Sequence, residues 1–350
     1  MRPTGRLHLG NYMGALHNWV NLQQDYDCYF FIADLHALTT DYADTSLLQA
    51  NIREVALDFL AAGLDPGRTV IFKQSEVMHH AQLFTLLSMM TPVPWLERVP
   101  TYKDQQEQLR EKDLNTYGFL GYPLLQAADI LLYKPHFVPV GADQEAHVEL
   151  TREVARRFNS LYRRRFDSPE QTLRESSKAV REHPTAEKFV KEFVHVLPEP
   201  NVLLTPSPKL PGLDGRKMSK SYGNTIMLSE PEADVRAKLK TMVTDPARIR
   251  RSDPGNPDVC PVFDLHKVFS PEETQLKAAE GCRAASIGCI ECKSWVADAI
   301  VETIAPIQAR REDLLSRPSV IDDVLANGKD RAIKCAQQTL DEVQHAMGLR

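Results

Sequence analysis

No stretch of this chain approaches the roughly 20 consecutive apolar residues that a membrane-spanning helix needs, and the expectation is a protein without membrane contact. No charged-then-apolar leader opens it either. Met1 runs almost directly into Pro3-Thr4-Gly5, so no secretory signal is expected and the cytoplasm is the default location. Cysteine is scarce, six in 350 residues, which argues against a secreted disulfide scaffold. A surplus of positive charge is also missing. The net charge of −5 does not advertise nucleic-acid binding, and any RNA contact must use local basic patches. Internal repeats and low-complexity tracts are absent, which sets aside solenoids and linker-like chains. What remains is an ordinary globular composition, 25% charged and 43% hydrophobic, long enough for two domains.

Two short strings then stand out. Lys217-Met218-Ser219-Lys220-Ser221 lies between Pro211-Gly212-Leu213-Asp214-Gly215-Arg216 and Tyr222-Gly223-Asn224. Two lysines three apart, framed by glycines and serines, make a cationic loop suited to phosphate oxygens. Near the other end, Pro3-Thr4-Gly5 reads as a turn, and His8-Leu9-Gly10-Asn11 leads into an apolar-periodic helix with Leu16, Trp19 and Val20. A helix N-terminus offers free N–H groups and partial positive charge to phosphate. His8 and Asn11 can donate hydrogen bonds, and Gly10 would let a flat base lie on the backbone.

Between the strings the pattern is βαβ. Tyr29-Phe30-Phe31-Ile32-Ala33 predicts a buried parallel strand running into Asp34-Leu35-His36. Asp44 to Ala62 predicts a helix ended by Gly63, and Val70-Ile71-Phe72-Lys73-Gln74-Ser75 a second strand. The fold class read from this alternation is α/β with a Rossmann-like doubly wound parallel sheet, which binds ligands beyond the carboxyl ends of its strands. Asp104 to Leu114 is polar and predicts an exposed connection. Gly121 to Tyr133 predicts a helix with Tyr122, Gln126, Asp129 and Tyr133 on one face and apolar residues over much of the rest. Asp129 is thus a buried carboxylate in need of a donor, from the protein or from a substrate. An indole N–H, which only donates, suits such a fixed acceptor. Phe137-Val138-Pro139-Val140-Gly141 predicts a short strand with Val138 and Val140 on one face, and Asp143 is placed to cap the helix that follows.

From about Ile226 helical patterns dominate: Asp234 to Thr241, Pro271 to Glu280, Trp295 to Leu315 and Lys329 to Met347. Prolines and glycines at 246, 254, 255, 257, 261 and 328 punctuate them. Val296, Ile300, Ile304 and Ile307 form one apolar face. Arg248, Arg250 and Arg251, with Lys238 and Lys240, predict a basic patch. Four cysteines cluster as Cys260-x21-Cys282-x6-Cys289-x2-Cys292. That spacing has metal-ligand character, and four thiolates suit zinc or an iron–sulfur cluster. Cys28 and Cys335 read as structural.

The lysine string is the signature of class I aminoacyl-tRNA synthetases, and His8-Leu9-Gly10-Asn11 resembles the partner signature of that class, with Leu for Ile and Asn for the second His. Ala127-Ala128-Asp129, Gly141-Ala142-Asp143-Gln144, Glu149-Leu150-Thr151-Arg152 and Arg156-Arg157-Phe158-Asn159 resemble the tryptophanyl-tRNA synthetases. The resemblance covers nearly the whole chain, apart from a charged, helix-like insertion at about 168–198. It implies a catalytic domain at 1–225 and an all-helical anticodon-binding domain at 226–350. It implies catalytic roles for Lys217, Lys220, His8 and Asn11. ATP would meet Gly10, Lys103, Asp143, Met218 and Ser219, and tryptophan would meet Asp129, Tyr122, Gln126, Gln144, His36, Val138 and Val140. It also implies a [4Fe-4S] cluster on the four cysteines, with zinc as the alternative. The remaining implications are ATP with Mg²⁺, tRNA(Trp) as partner and a homodimer. Two departures stand out. Many tryptophanyl enzymes have Met where Gln126 stands, and the family's short first strand before Pro-Thr-Gly is not seen, which predicts weaker substrate affinity if that strand is truly absent.

The function implied is tryptophan–tRNA ligase. Tyrosyl-tRNA synthetase shares both nucleotide strings and is the nearest alternative. A synthetase-like regulatory protein that binds tryptophan or ATP without charging tRNA is another.

Overall fold

The computed structural model describes residues 1–108, 111–162, 195–204 and 209–350. The expected insertion at about 168–198 lies almost wholly outside them. The N-terminal half alternates strand and helix. It contains α1 (Leu9–Asn11), α2 (His17–Leu22), β1 (Tyr29–Ile32), α3 (Asp34–Asp41), α4 (Leu48–Ala62), β2 (Val70–Lys73), α5 (His79–Ser88), α6 (Val93–Glu97), α7 (Pro100–Gln108), α8 (Tyr117–Leu131), β3 (Phe137–Val140), α9 (Glu145–Leu161) and β4 (Asn201–Leu204). Helices follow: α10 (Glu232–Thr241), α11 (Pro261–Phe269), α12 (Glu272–Arg283), α13 (Cys289–Ser316) and α14 (Ser319–Ala346). This is the expected Rossmann-like α/β half followed by a predominantly helical region. Among the described residues the strands form two parallel pairs, β1 with β2 and β3 with β4, and not one continuous ladder. No helix among the described residues is long and apolar enough to cross a membrane.

β1 pairs with β2 from Tyr29↔Val70 to Ile32↔Lys73. Aromatic and β-branched side chains suit this half-buried pleat. Phe30 and Ile32 face the core, and Val70, Ile71 and Phe72 are all buried. On the other edge of β1, Met1 donates from its amino group to Phe31 O at 2.7 Å and accepts from Ala33 N at 2.8 Å. Between the strands α4 packs its apolar side inward and stops at Gly63, whose φ of 114° is the left-handed cap that favours glycine. Both strands end where the site begins: β1 runs into Asp34 and His36, and β2 into Gln74 and Ser75.

Several local expectations change. α7 carries helix through Gln108, so the first part of the polar segment, Asp104 to Gln108, is helical where a bare connection was expected, while Glu111 to Leu114 is turn and coil. Asp143 makes no cap; α9 begins without a side-chain cap. Pro257 and Pro261 open helical turns, because a missing N–H costs nothing in a first turn. The last helix begins ten residues before the expected Lys329, with Gly328 inside it. Gly328 is a point of close approach: a Cβ there would stand 1.8 Å from the carbonyl oxygen of Ile71. α14 can therefore lie directly on β2. Gly328→Ala should destabilise the fold by about 3 kcal/mol, at the upper end of ordinary overpacking costs. Gly118→Ala, where nothing lies within 4 Å of the new methyl, should be close to neutral. Thermal melts of the two variants check this, and equal midpoints would contradict it.

The face Val296, Ile300, Ile304 and Ile307 is buried as expected, with α13 against α4. One core cluster joins Leu9, Leu16 and Phe59 to Ile226, Val262, Ile300 and Ile321. The apolar interior thus continues across residue 226.

Candidate active site

The first signature string forms a turn locked by its own side chains. His8 caps α1: its Nδ1 accepts from Asn11 N at 3.3 Å, while Asn11 Oδ1 accepts from His8 N at 3.1 Å. This reciprocal capping box satisfies two donors that a helix start leaves free. It also fixes the imidazole. With Nδ1 accepting, the ring proton of neutral His8 sits on Nε2 and can be donated. Burial, then Lys220 and Lys217, lower the His8 pKa to about 4, so the ring is neutral near pH 7. Gly10 is needed for space. A Cβ there would come within 3.0 Å of the His8 ring and 3.6 Å of Met218 Cβ, so Gly10 keeps open the gap between the two strings.

Asn224, just beyond the lysine string, holds it in shape. Its Oδ1 accepts from Ser219 N at 2.8 Å, and its Nδ2 donates to Asp214 Oδ1 at 2.7 Å and Lys217 O at 3.2 Å. Gly212 lies against it so closely that a Cβ would overlap the amide at 2.2 Å. Met218 is buried, Ser219 half-buried and Lys217 exposed. Lys220 Nζ donates to Thr4 O at 3.0 Å, docking the second string on the turn before the first. Burial lowers the Lys220 pKa to about 8 against the opposing charge of Asp58. His8, Asn11, Gly10, Lys217, Met218, Ser219 and Lys220 are thus brought together from segments about 200 residues apart.

The second centre is a buried carboxylate. Asp129 on α8 is 2% exposed. It accepts from His36 Nε2 at 2.9 Å, from Gln74 Nε2 at 2.8 and 2.9 Å on its two oxygens, and from His80 Nδ1 at 2.6 Å. Burial pushes against its charge, but His80 and His36 prevail and hold its pKa at about 2. Gln74 and His80 are site residues that sequence reasoning missed. The available signal was chemical: a buried carboxylate must have donors, and Gln74 ends a buried strand while His80 sits on the apolar helix that follows.

The other expected residues are more spread. The Tyr122 hydroxyl meets Thr101 Oγ1 at 2.9 Å, and that oxygen meets His147 Nε2 at 2.6 Å. Thr101 thereby ties α7, with Lys103 exposed upon it, to α8 and α9. Gln126 is half-buried on α8, and Val138 and Val140 are half-buried on β3. Gln144 is half-buried and donates to the exposed Asp143 at 3.4 Å.

The family model described as tRNA synthetases class I (W and Y) matches residues 1–305. This chain belongs to that family. It is 50% identical over its whole length to a tryptophan–tRNA ligase of Ralstonia nicotianae, covering 97% of that protein. It is 47% identical to one from Thermotoga maritima, again over the whole chain and 98% of the relative. Among solved structures, a tryptophanyl-tRNA synthetase of Campylobacter jejuni, complexed with ADP and tryptophan, superposes with a TM-score of 0.79. The match covers 99% of this chain and 98% of that one at 29% identity.

The expected metal site on the cysteines is not shown. Among the described residues no group of three or more His, Cys, Asp or Glu side chains could hold a metal ion as they stand. Cys260, Cys282, Cys289 and Cys292 are free thiols. Two of them have polar neighbours. Arg248 Nη1 lies 3.6 Å from Cys282 Sγ, and Cys292 Sγ lies 3.3 Å from His266 Nε2. Arg248 is also withdrawn from the expected basic patch: it is buried and donates to Ile287 O at 2.6 Å and Arg251 O at 3.1 Å.

Proposed function

We propose that this synthetase is a tryptophan–tRNA ligase whose amino-acid specificity rests on Asp129. In the first step the tryptophan carboxylate attacks the α-phosphorus of ATP, the bond to the β-phosphate bridging oxygen breaks, and pyrophosphate leaves with that electron pair. In the second, a terminal ribose hydroxyl of tRNA(Trp) attacks the adenylate carbonyl and AMP leaves. No covalent enzyme nucleophile is required; the work is positioning and electrostatics. Lys217 and Lys220 neutralise the departing pyrophosphate. His8 donates its Nε2 proton in a hydrogen bond to a phosphate oxygen, and the Asn11 turn presents the helix start. Mg²⁺ enters as part of the ATP substrate. Lys103 approaches the phosphates, Asp143 the ribose and Gln144 the tryptophan backbone. Tyr122, Gln126, Val138 and Val140 line the indole pocket.

The observation that supports this reading best is the ionised Asp129, buried just beyond the ends of β1 and β2. Its four accepted bonds use the capacity of a carboxylate. The indole N–H therefore takes the place of the His36 bond, since His36 is the donor on the more open side, 12% exposed. ATP–pyrophosphate exchange with each amino acid in turn tests the proposal, and tryptophan alone should support it. Exchange with tyrosine would favour the tyrosyl alternative, and exchange with none would favour a regulatory protein. Asp129→Asn should raise the KM for tryptophan by about tenfold or more, as expected when a charged acceptor is lost. The KM for ATP should stay in place, and an unchanged tryptophan KM would remove Asp129 from its role.

Anticodon reading by the helical region beyond Ile226, homodimerisation and a cytoplasmic location belong to the same proposal. Sedimentation would test the dimer. A metal centre on the four cysteines is an addition supported by their spacing, Cys260-x21-Cys282-x6-Cys289-x2-Cys292. Iron, sulfide and zinc analysis of anaerobically purified protein tests it, and a metal-free product would end it.

A further inference from the structure

His80 is fully buried in α5, beside the rings of Phe31 at 5.5 Å, Phe72 at 5.9 Å and Tyr133 at 5.5 Å between centroids. An imidazole in that setting could serve only as packing. Both of its nitrogens are engaged, however: Nδ1 lies 2.6 Å from Asp129 Oδ1 and Nε2 lies 2.8 Å from the Tyr133 hydroxyl. For a neutral ring the chemistry fixes the direction of both bonds. A carboxylate only accepts, so the proton between His80 and Asp129 belongs to Nδ1. Neutral imidazole then has a lone pair on Nε2, and the Tyr133 O–H supplies its donor. Burial, then the nearby Asp129 charge, push the Tyr133 phenol well above its usual range, so it keeps that proton. Tyr133 is itself clamped by stacking on Tyr29 at 4.8 Å.

The three donors to Asp129 do not play equivalent parts. His80 and Gln74 are 0% exposed, whereas His36 stands toward the more open side. His80 contacts Oδ1 alone and His36 contacts Oδ2 alone. Gln74 donates to both. The inner oxygen is therefore held only by fully buried donors, and the outer one shares Gln74 with His36 on the side open to a ligand. We infer that His80, with its tautomer set by the Tyr133 hydroxyl, is the positioning residue that holds Asp129 as an oriented carboxylate and so determines recognition of the amino-acid ring donor. It acts through Asp129 and does not itself touch substrate. The inference rests on the reading of Asp129 as the group that accepts from the indole.

Two isosteric replacements separate this role from simple packing. An asparagine amide nitrogen can stand where Nδ1 stands, and a glutamine amide nitrogen where Nε2 stands. In ATP–pyrophosphate exchange on the full chain, His80→Asn should keep the KM for tryptophan within about threefold. His80→Gln should raise it by about tenfold or more, the scale of one lost hydrogen bond to a charged group. The KM for ATP should not move in either variant. A purely structural histidine predicts equal effects from both variants, or parallel rises in both Michaelis constants, and either result would overturn the inference. Tyr133→Phe keeps the ring and removes only the donor to Nε2, so it remains informative if His80→Gln does not fold. It should raise the tryptophan KM by about threefold with ATP unaffected, and no change would count against the inference. Asp129→Asn measured alongside separates the two levels. If it leaves tryptophan untouched, the reading of Asp129 fails; if it impairs tryptophan binding while the His80 pair do not diverge, only the role of His80 fails.

Discussion

Lys220→Ala is expected to slow tryptophanyl-adenylate formation by about 10²–10³-fold, the usual scale for removing one preorganised donor from a developing charge. The KM for tryptophan should change little, because Asp129 takes its hydrogen bonds from His36, Gln74 and His80, whereas Lys220 is bound to Thr4. Lys220 also gives the reaction a pH signature. Its pKa is lowered to about 8 by burial, with Asp58 acting in the opposite direction. The ammonium proposed to neutralise pyrophosphate is therefore present below about pH 8 and lost above it. kcat/KM for ATP, which reports the free enzyme, should fall along an alkaline limb near that value. His8 adds no limb in the neutral range, since its pKa is lowered to about 4 and it stays neutral above that. Lys220→Arg decides the assignment. Arginine keeps its charge throughout, so the limb should move to higher pH even if the rate drops. The same limb in wild type and Lys220→Arg would exclude Lys220 as its source.

Parts of this site were legible in the sequence because their chemistry is local. The capping of His8 and Asn11 needs residues three apart, and the Lys217–Lys220 loop is contiguous, so both strings can be read without tertiary information. Asp129 was legible for a different reason: a carboxylate on an apolar helix is costly and demands explanation. Of its partners the resemblance reached only His36. His36, Gln74 and His80 come from three separate elements, and no spacing rule links them to residue 129. Asn224 was hidden in the same way, since holding the lysine loop depends on a folded turn. In the fold, period-two and helical patterns located β1, β2, β3 and the apolar face of α13. Gly328 reads as a break in the sequence because glycine usually weakens a helix. Its purpose is contact with the Ile71 backbone, which only the packed structure reveals. The surroundings of the four cysteines were hidden too. Spacing suggests ligands but does not reveal that Arg248 lies beside Cys282 and His266 beside Cys292.

Arg311→Met is expected to have the largest effect on stability. Arg311 reaches from α13 into the N-terminal half, where its guanidinium pairs with Asp58 and Glu54 of α4. Asp58 is 0% exposed and its second oxygen accepts from Leu7 N at 2.7 Å, immediately before His8. One carboxylate thus joins the helical region to the backbone of the signature turn. Burial raises the Asp58 pKa even with Arg311 opposing it, so desolvation is the larger influence. Removing Arg311 leaves that charge buried without its partner, which costs about 3–5 kcal/mol in such settings. The sign with pH follows from the raised pKa. A carboxyl whose folded pKa exceeds its unfolded value imposes its full penalty above the folded pKa, and the penalty shrinks as pH falls toward the unfolded value. Arg311→Met should therefore recover part of its deficit relative to wild type in denaturation at lower pH. Asp58→Asn keeps an oxygen for Leu7 N–H while removing the charge. The double variant Asp58→Asn/Arg311→Met should consequently be more stable than Arg311→Met alone. A double variant no better than Arg311→Met, with a pH-independent deficit, would mean that Arg311 contributes through packing of its stem and not through its charge.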